Sequence, residues 1–206
     1  MPGEKPSLFD HAVASRAHGG ADVSGDLYIV RQLEHDVLVA VVDGLGHGHD
    51  AAAAARLAIA TLQSEPIRTI TGLVERCHAV LMRTRGVVIS LAMLDARRAT
   101  MTWLAVGNVE GILIGASAPK RESILMRGGI VGHRLPPLRA ATIPLNPGDL
   151  LIFATDGIRE GFAEGLRPNT PPQEAADRVL ARYGRANDDA LVLAGRWNGP
   201  AAARPA

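Results

Sequence analysis

A single cysteine in 206 residues, Cys77, leaves the chain no intramolecular disulfide, and predicts a reducing compartment, the cytoplasm. Aromatic residues make up only 3 % of the chain, so its core has to be aliphatic and rich in alanine. Neither sign of charge dominates. With 22 Lys+Arg against 21 Asp+Glu the formal net charge is +1, and the surplus of cations that a dedicated nucleic-acid binder sets against phosphates is missing. Lysine is almost absent, at Lys5 and Lys120 alone. No apolar run reaches the ~20 residues needed to span a bilayer, because the longest are broken by Asp43, Arg56 or Asp149. The opening residues MPGEKPSLFDH carry no apolar segment of the kind that drives secretion. These absences predict a cytoplasmic protein that binds neither nucleic acid nor membrane; a monomer is the expected state.

What is present is an ordinary globular composition, 47 % hydrophobic and 21 % charged. Residues 1–7 and 198–206 read as flexible tails around one domain, 8–197. Apolar patterning predicts strands at Phe9–His18, Leu27–Leu33, Val37–Val42, Val87–Leu94, Thr100–Val106, Gly111–Ile114, Ile124–Arg127, Leu150–Ala154 and Ala190–Trp197. Helices are predicted at Asp50–Gln63, where alanine dominates, at Thr71–Arg83, with Leu73, Cys77, Val80 and Leu81 on one face, and at Pro172–Tyr183. Runs of strands interrupted by few helices indicate an α+β domain of antiparallel sheets covered by helices.

The informative residues are aspartates at strand ends. Asp43 closes VLVAVVDG and Asp156 closes LLIFATDG, while Asp26 opens DLYIVRQL and Asp188 opens DDALVLAGRW. In an antiparallel sheet the start of one strand lies beside the end of its neighbour, so all four can gather on one edge. A turn centred on Glu34-His35 sets Asp26 directly opposite Asp43, with β-carbons about 4.5–5.5 Å apart. Two ionised carboxylates repel at that distance unless a cation lies between them, and hard oxygen donors without a Cys/His set suit Mg²⁺ or Mn²⁺ better than zinc. The alternative for each residue alone is a turn or helix-cap role. Asp43 and Asp156 both precede glycine, which lets the backbone come close to a ligand.

Other chemistry is weaker. The glycines of Asp43-Gly-Leu-Gly-His-Gly lack the Lys-Ser/Thr of a nucleotide loop. Ser24 and Ser90 have no nucleophile-elbow context, and Cys77 reads as a core residue. His47 reads as a loop residue, with proton transfer as its other possible role.

Ser24-Gly-Asp26, Val42-Asp43-Gly44-Leu-Gly-His-Gly, Ala105-Val-Gly-Asn108, Leu145-Asn-Pro-Gly-Asp149, Ala154-Thr-Asp156-Gly and Asn187-Asp188-Asp189, in that order, resemble the metal-dependent protein phosphatases (the PPM or type 2C superfamily) in their SpoIIE-like branch. The resemblance covers most of the chain. It implies a four-layer α-β-β-α sandwich with two metal ions, Mn²⁺ or Mg²⁺, at one end. Carried over position by position, Asp43 would bridge both ions and Gly44 would offer its carbonyl to one. Asp156 and Asp188, rather than the adjacent Asp189, would hold the deeper ion, and Asp26 would complete the site directly or through water. The nucleophile would be a water activated by the metals, with no covalent phosphoenzyme. The arginine that binds phosphate in many eukaryotic relatives has no clear match, Arg16 being the nearest candidate. Where those relatives carry a histidine two residues past the bridging Asp, this chain has Leu45, with His47 two further on.

The short length and lack of a sensor domain are similar to the small stressosome phosphatases of the branch. That implies a serine/threonine phosphatase acting on phosphorylated STAS-domain stressosome proteins and resetting a stress-signalling complex. A phosphatase of an anti-sigma-factor antagonist, and a catalytically weak binding module, are the alternatives.

Overall fold

The computed structural model describes residues 7–18, 23–64, 66, 69–117 and 121–200; most of both predicted tails lies outside them. Two five-stranded sheets carry the fold. With strands named in chain order, β1 (Phe9–Arg16), β10 (Ala190–Trp197), β9 (Leu150–Ala154), β6 (Glu110–Ile114) and β7 (Arg121–Ser123) form one sheet in that spatial order. The other runs β2 (Asp26–Gln32), β3 (Asp36–Gly44), β4 (Val87–Asp95), β5 (Thr100–Val106) and β8 (Ala141–Pro144). All pairings are antiparallel.

Alternation along the central strands accounts for the layers. Val37, Val39 and Val41 of β3 face the other sheet, meeting Phe153 of β9 and Leu191 and Leu193 of β10 in the core between the sheets. Leu38, Ala40 and Val42 point the opposite way, onto α1 (His49–Ser64) and α2 (Ile70–Leu81). Leu150, Ile152 and Ala154 of β9 face α3 (Pro172–Tyr183) across the first sheet. With both faces of each sheet covered, these strands are nearly continuous in apolar residues. The result is the four-layer α-β-β-α sandwich.

Local chemistry sets the helix ends. Thr69 accepts a hydrogen bond from the Gly72 N–H at 3.0 Å and so caps α2, and α3 starts with Pro172 in its first turn. Alanine lets α1 lie close on the sheet, burying Ala51, Ala52, Ala54, Ala55 and Ala58 completely.

Two predicted details differ. The strand expected at Ile124–Arg127 falls three residues earlier, at Arg121–Ser123. Ile124 turns into the core, but Leu125 and Met126 are exposed, so this apolar run does not alternate between two faces. Strand β8 has no sequence signal because its residues are mostly exposed. It lies at the sheet edge, where Pro144 costs no ladder bond.

Candidate functional site

Strand direction brings the aspartates together. β2 and β3 pair with Asp26 directly opposite Asp43, the register expected from the Glu34-His35 turn. In the other sheet β9 and β10 run antiparallel, so Asp156 just past the end of β9 and Asp188-Asp189 just before β10 reach the same edge. All five line one cleft of about 560 Å³, with His18, His47, Asn108 and Asn187 around them. Gly44 is buried behind the cleft, its N–H donating to the Gly25 carbonyl at 3.1 Å. Arg16 is not among the lining residues; its guanidinium donates to the Arg185 carbonyl.

Each carboxylate sits in a different environment. Asp26 is buried, and one of its oxygens accepts from the Thr155 hydroxyl at 2.7 Å; Thr155 in turn accepts from the Leu191 N–H at 2.9 Å. Asp156 is exposed and accepts from the Asn108 amide at 2.8 Å. Asp189 is buried and accepts two backbone N–H bonds, from His18 at 2.7 Å and Gly25 at 2.8 Å. Asp188 is half-buried and accepts from the Asp189 N–H at 3.0 Å. Asp189 thus anchors residues 18 and 25 against β10, whereas among the described residues the only such bond to Asp188 comes from its chain neighbour.

The electrostatics are unfavourable for the cluster alone. Burial pushes the Asp43 carboxyl up to about 9, and repulsion from Asp26, Asp156, Asp188 and Asp189 adds to the shift. Asp26 is pushed up to about 7, first by burial, against the lowering effect of the Thr155 hydrogen bond. Among the described residues no lysine or arginine lines the cleft. Buried carboxylates that lack a basic partner either take up protons or bind a cation. Hard oxygen donors drawn from two sheets therefore fit a pair of Mg²⁺ or Mn²⁺ ions. Among the described residues no three of these side chains already converge on one ion position.

The two Asp-Gly pairs also have a packing reason, beside the close approach to a ligand expected from the sequence. A β-carbon on Gly44 would stand 2.1 Å from the Ala51 carbonyl oxygen, and one on Gly157 would stand 1.9 Å from that of Asp189. The missing side chains let α1 and the start of β10 close onto the strand ends beside the carboxylates. Sequence reasoning gave no role to Thr155 or Asn108, although both lie inside the matched motifs. His18 had no signal; its ring stacks on that of His47 at 5.4 Å, at the side of the cleft.

These bonds separate the adjacent aspartates by experiment. Asp189→Asn keeps one acceptor oxygen and loses the other, so one buried N–H is left without its partner at a cost of about 1–3 kcal/mol. Asp188→Asn should leave stability nearly unchanged but weaken Mn²⁺ binding. Chemical denaturation and metal titration of both variants check this; the opposite pattern would exchange their roles.

Comparison with known proteins agrees with this architecture. The family model of stage II sporulation protein E (SpoIIE) matches residues 34–198. The chain is 27 % identical over 183 residues to the phosphoserine phosphatase RsbX of Bacillus subtilis (strain 168), covering 86 % of this chain and 89 % of RsbX. It is 26 % identical to the stage II sporulation protein E of Priestia megaterium, covering 92 % of this chain but 36 % of that protein. Among solved structures, one described as "The bacterial stressosome: a modular system that has been adapted to control secondary messenger signaling" superposes with a TM-score of 0.83 at 30 % identity, covering 92 % of this chain and all of that one. RsbX in complex with magnesium superposes with a TM-score of 0.81 at 21 % identity, covering 91 % and 94 %. With the family match spanning residues 34–198, most of the sandwich, the chain belongs to the SpoIIE family, as an RsbX-type member of the PPM protein phosphatases.

Proposed function

We propose that this phosphatase removes phosphate from phosphoserine or phosphothreonine on STAS-domain proteins of a stressosome, working in the cytoplasm as a monomer and resetting a stress-signalling complex. The observation that carries the reading is the gathering of five aspartates from two sheets in one cleft that no lysine or arginine among the described residues lines. The RsbX relative and the solved stressosome chain support the choice of substrate.

In this reading Asp43, shared between them, with Asp26, Asp156, Asp188 and the Gly44 carbonyl, would hold two divalent ions, Mg²⁺ or Mn²⁺. Bound there, the ions would supply a water of lowered pKa and positive charge for the phosphoryl oxygens. The chain's own residues prepare the site. Thr155 turns one oxygen of Asp26 away from solvent and leaves the other available. Asn108 holds Asp156, the most exposed of the carboxylates, in a fixed orientation. Asp189 pins the backbone at residues 18 and 25, on which the position of Asp26 depends. No serine or cysteine serves as a nucleophile: Cys77 is fully buried under α1, and the Ser90 hydroxyl is spent on the Val109 carbonyl at 2.6 Å. His47 lines the cleft beside His18, and proton transfer to the leaving oxygen is the one role the reading leaves to it.

The test is hydrolysis of p-nitrophenyl phosphate by the purified chain. Activity should vanish in excess EDTA, return with Mn²⁺ or Mg²⁺, and return poorly with Zn²⁺ because every proposed ligand is oxygen. Full turnover in EDTA would remove the metal-dependent reading, and no turnover with any metal would favour a binding module.

A further inference from the structure

Beside the cleft, sharing Leu45 and Gly46 with it, lies a second hollow of about 890 Å³. Its floor is the face of α1 formed by Ala53, Ala54 and Leu57, and Leu57 is 38 % exposed despite its size. Its far wall is the turn after α2, Arg83-Thr84-Arg85, together with His133. That wall is fixed. The His133 ring bonds to the Thr84 carbonyl at 2.9 Å, and the Gly132 N–H donates to the His78 ring on α2 at 2.9 Å.

Charge in the hollow is unbalanced. Arg85 pairs with Asp50 at 3.0 Å, both well exposed. Arg83 is exposed and makes no ion pair among the described residues, and Met82 beside it is 65 % exposed. An apolar floor is thus joined to a cationic wall, immediately next to the place where a phosphorylated side chain would enter.

We propose that this hollow seats the polypeptide flanking the phosphorylated residue of the protein substrate, and that it selects a segment carrying an acidic side chain next to an apolar one. The inference rests on the phosphatase reading and adds the chemistry of the substrate segment. Because Leu45 and Gly46 line both hollows, a chain that places its phosphate in the cleft has the second hollow beside it for its next residues. The acidic side chain faces Arg83 and competes with Asp50 for Arg85, while the apolar one covers Leu57 and Ala53.

Two synthetic phosphoserine peptides test this, one flanked on both sides by Glu-Leu and the other by Lys-Ser. Fluorescence anisotropy gives their affinities, and phosphate release with Mn²⁺ gives kcat/KM. The wild-type chain should favour the Glu-Leu peptide by at least about fivefold in both, the range expected of a few exposed charge and apolar contacts. Arg83→Glu should erase or invert the preference, Leu57→Gln should reduce it, and neither should change p-nitrophenyl phosphate turnover. Equal affinities for wild type, or a preference that survives Arg83→Glu, would overturn the inference. A dimer that dissociates on Arg83→Glu would assign the hollow to a second copy and also overturn it. Selective peptide binding without any Mn²⁺-dependent turnover would instead sink the phosphatase reading and leave the docking hollow standing.

Discussion

Asp43→Asn is expected to lower p-nitrophenyl phosphate turnover by at least about 10³-fold while the chain stays folded, because both proposed metal ions would share this one carboxylate. The fold does not need the charge. β3 is held by the complete burial of Leu38 through Val42 and by ladders to β2 and β4 on both sides. In metal-free protein the charge is a burden. Burial, and then the neighbouring carboxylates, raise Asp43 to about 9, so the folded state keeps a proton that the unfolded chain releases near the ordinary carboxylate value. A carboxyl raised in this way makes its favourable contribution at low pH. Stability is then lost as pH rises from about 4 toward 9. Asp26, raised to about 7, acts in the same direction.

Urea melts of chelated protein at pH 5 and pH 8 should show the variant gaining on wild type at the higher pH, by at least about 1 kcal/mol. The difference between the two chains isolates this effect from His11, whose burial lowers its pKa and works in the other direction. Adding Mn²⁺ at pH 8 should stabilise wild type far more than the variant. Retained turnover in Asp43→Asn, or a variant that falls behind wild type as pH rises, would contradict the role given to this residue.

The register of Asp26 against Asp43 was legible in the sequence because a two-residue turn fixes a hairpin's pairing, and the structure has that register. The edge shared by Asp156 and Asp188 followed from antiparallel strand direction alone. Thr155 and Asn108 lay inside recognisable motifs, yet their bonds to Asp26 and Asp156 join residues 129 and 48 positions apart, which no local pattern encodes. The Gly44 and Gly157 positions were legible as special, but their packing role was not. It lies in how closely α1 and the start of β10 approach, which depends on the packing of whole layers. Strand β8 escaped notice because an exposed edge strand has little apolar alternation to show. The misplaced strand near Ile124 shows the converse: Leu125 and Met126 are apolar, yet they face solvent.

That exposure bears on substrate choice. An intact phosphorylated STAS domain is expected to be turned over with a kcat/KM at least ~100-fold above that of a peptide carrying the same phosphosite, equivalent to about 2.7 kcal/mol of transition-state binding. The cleft gives a short peptide little to hold. Between Asp156 and Asp188 the chain spends residues 157–171 on itself, burying Phe162, Ala163 and Leu166 against the α3 layer, and none of these residues lines the cleft. Selectivity then has to come from the surface around the site. Leu125 and Met126 stand just before Gly128 and Gly129 of the cleft wall, and Leu57 and Met82 stand at or beside the adjoining hollow. Four of the five large apolar side chains exposed among the described residues therefore line the adjoining hollow or stand within three residues in sequence of a lining residue, and a folded partner can cover several at once. Net charge near zero leaves little long-range steering, so the advantage of the folded substrate should change only modestly with ionic strength. The measurement is kcat/KM for both substrates at low and moderate salt, repeated with Met126→Ser, which should narrow the gap without altering p-nitrophenyl phosphate turnover. Equal constants for domain and peptide would mean that docking contributes nothing, and would make the chain a broad phosphoesterase.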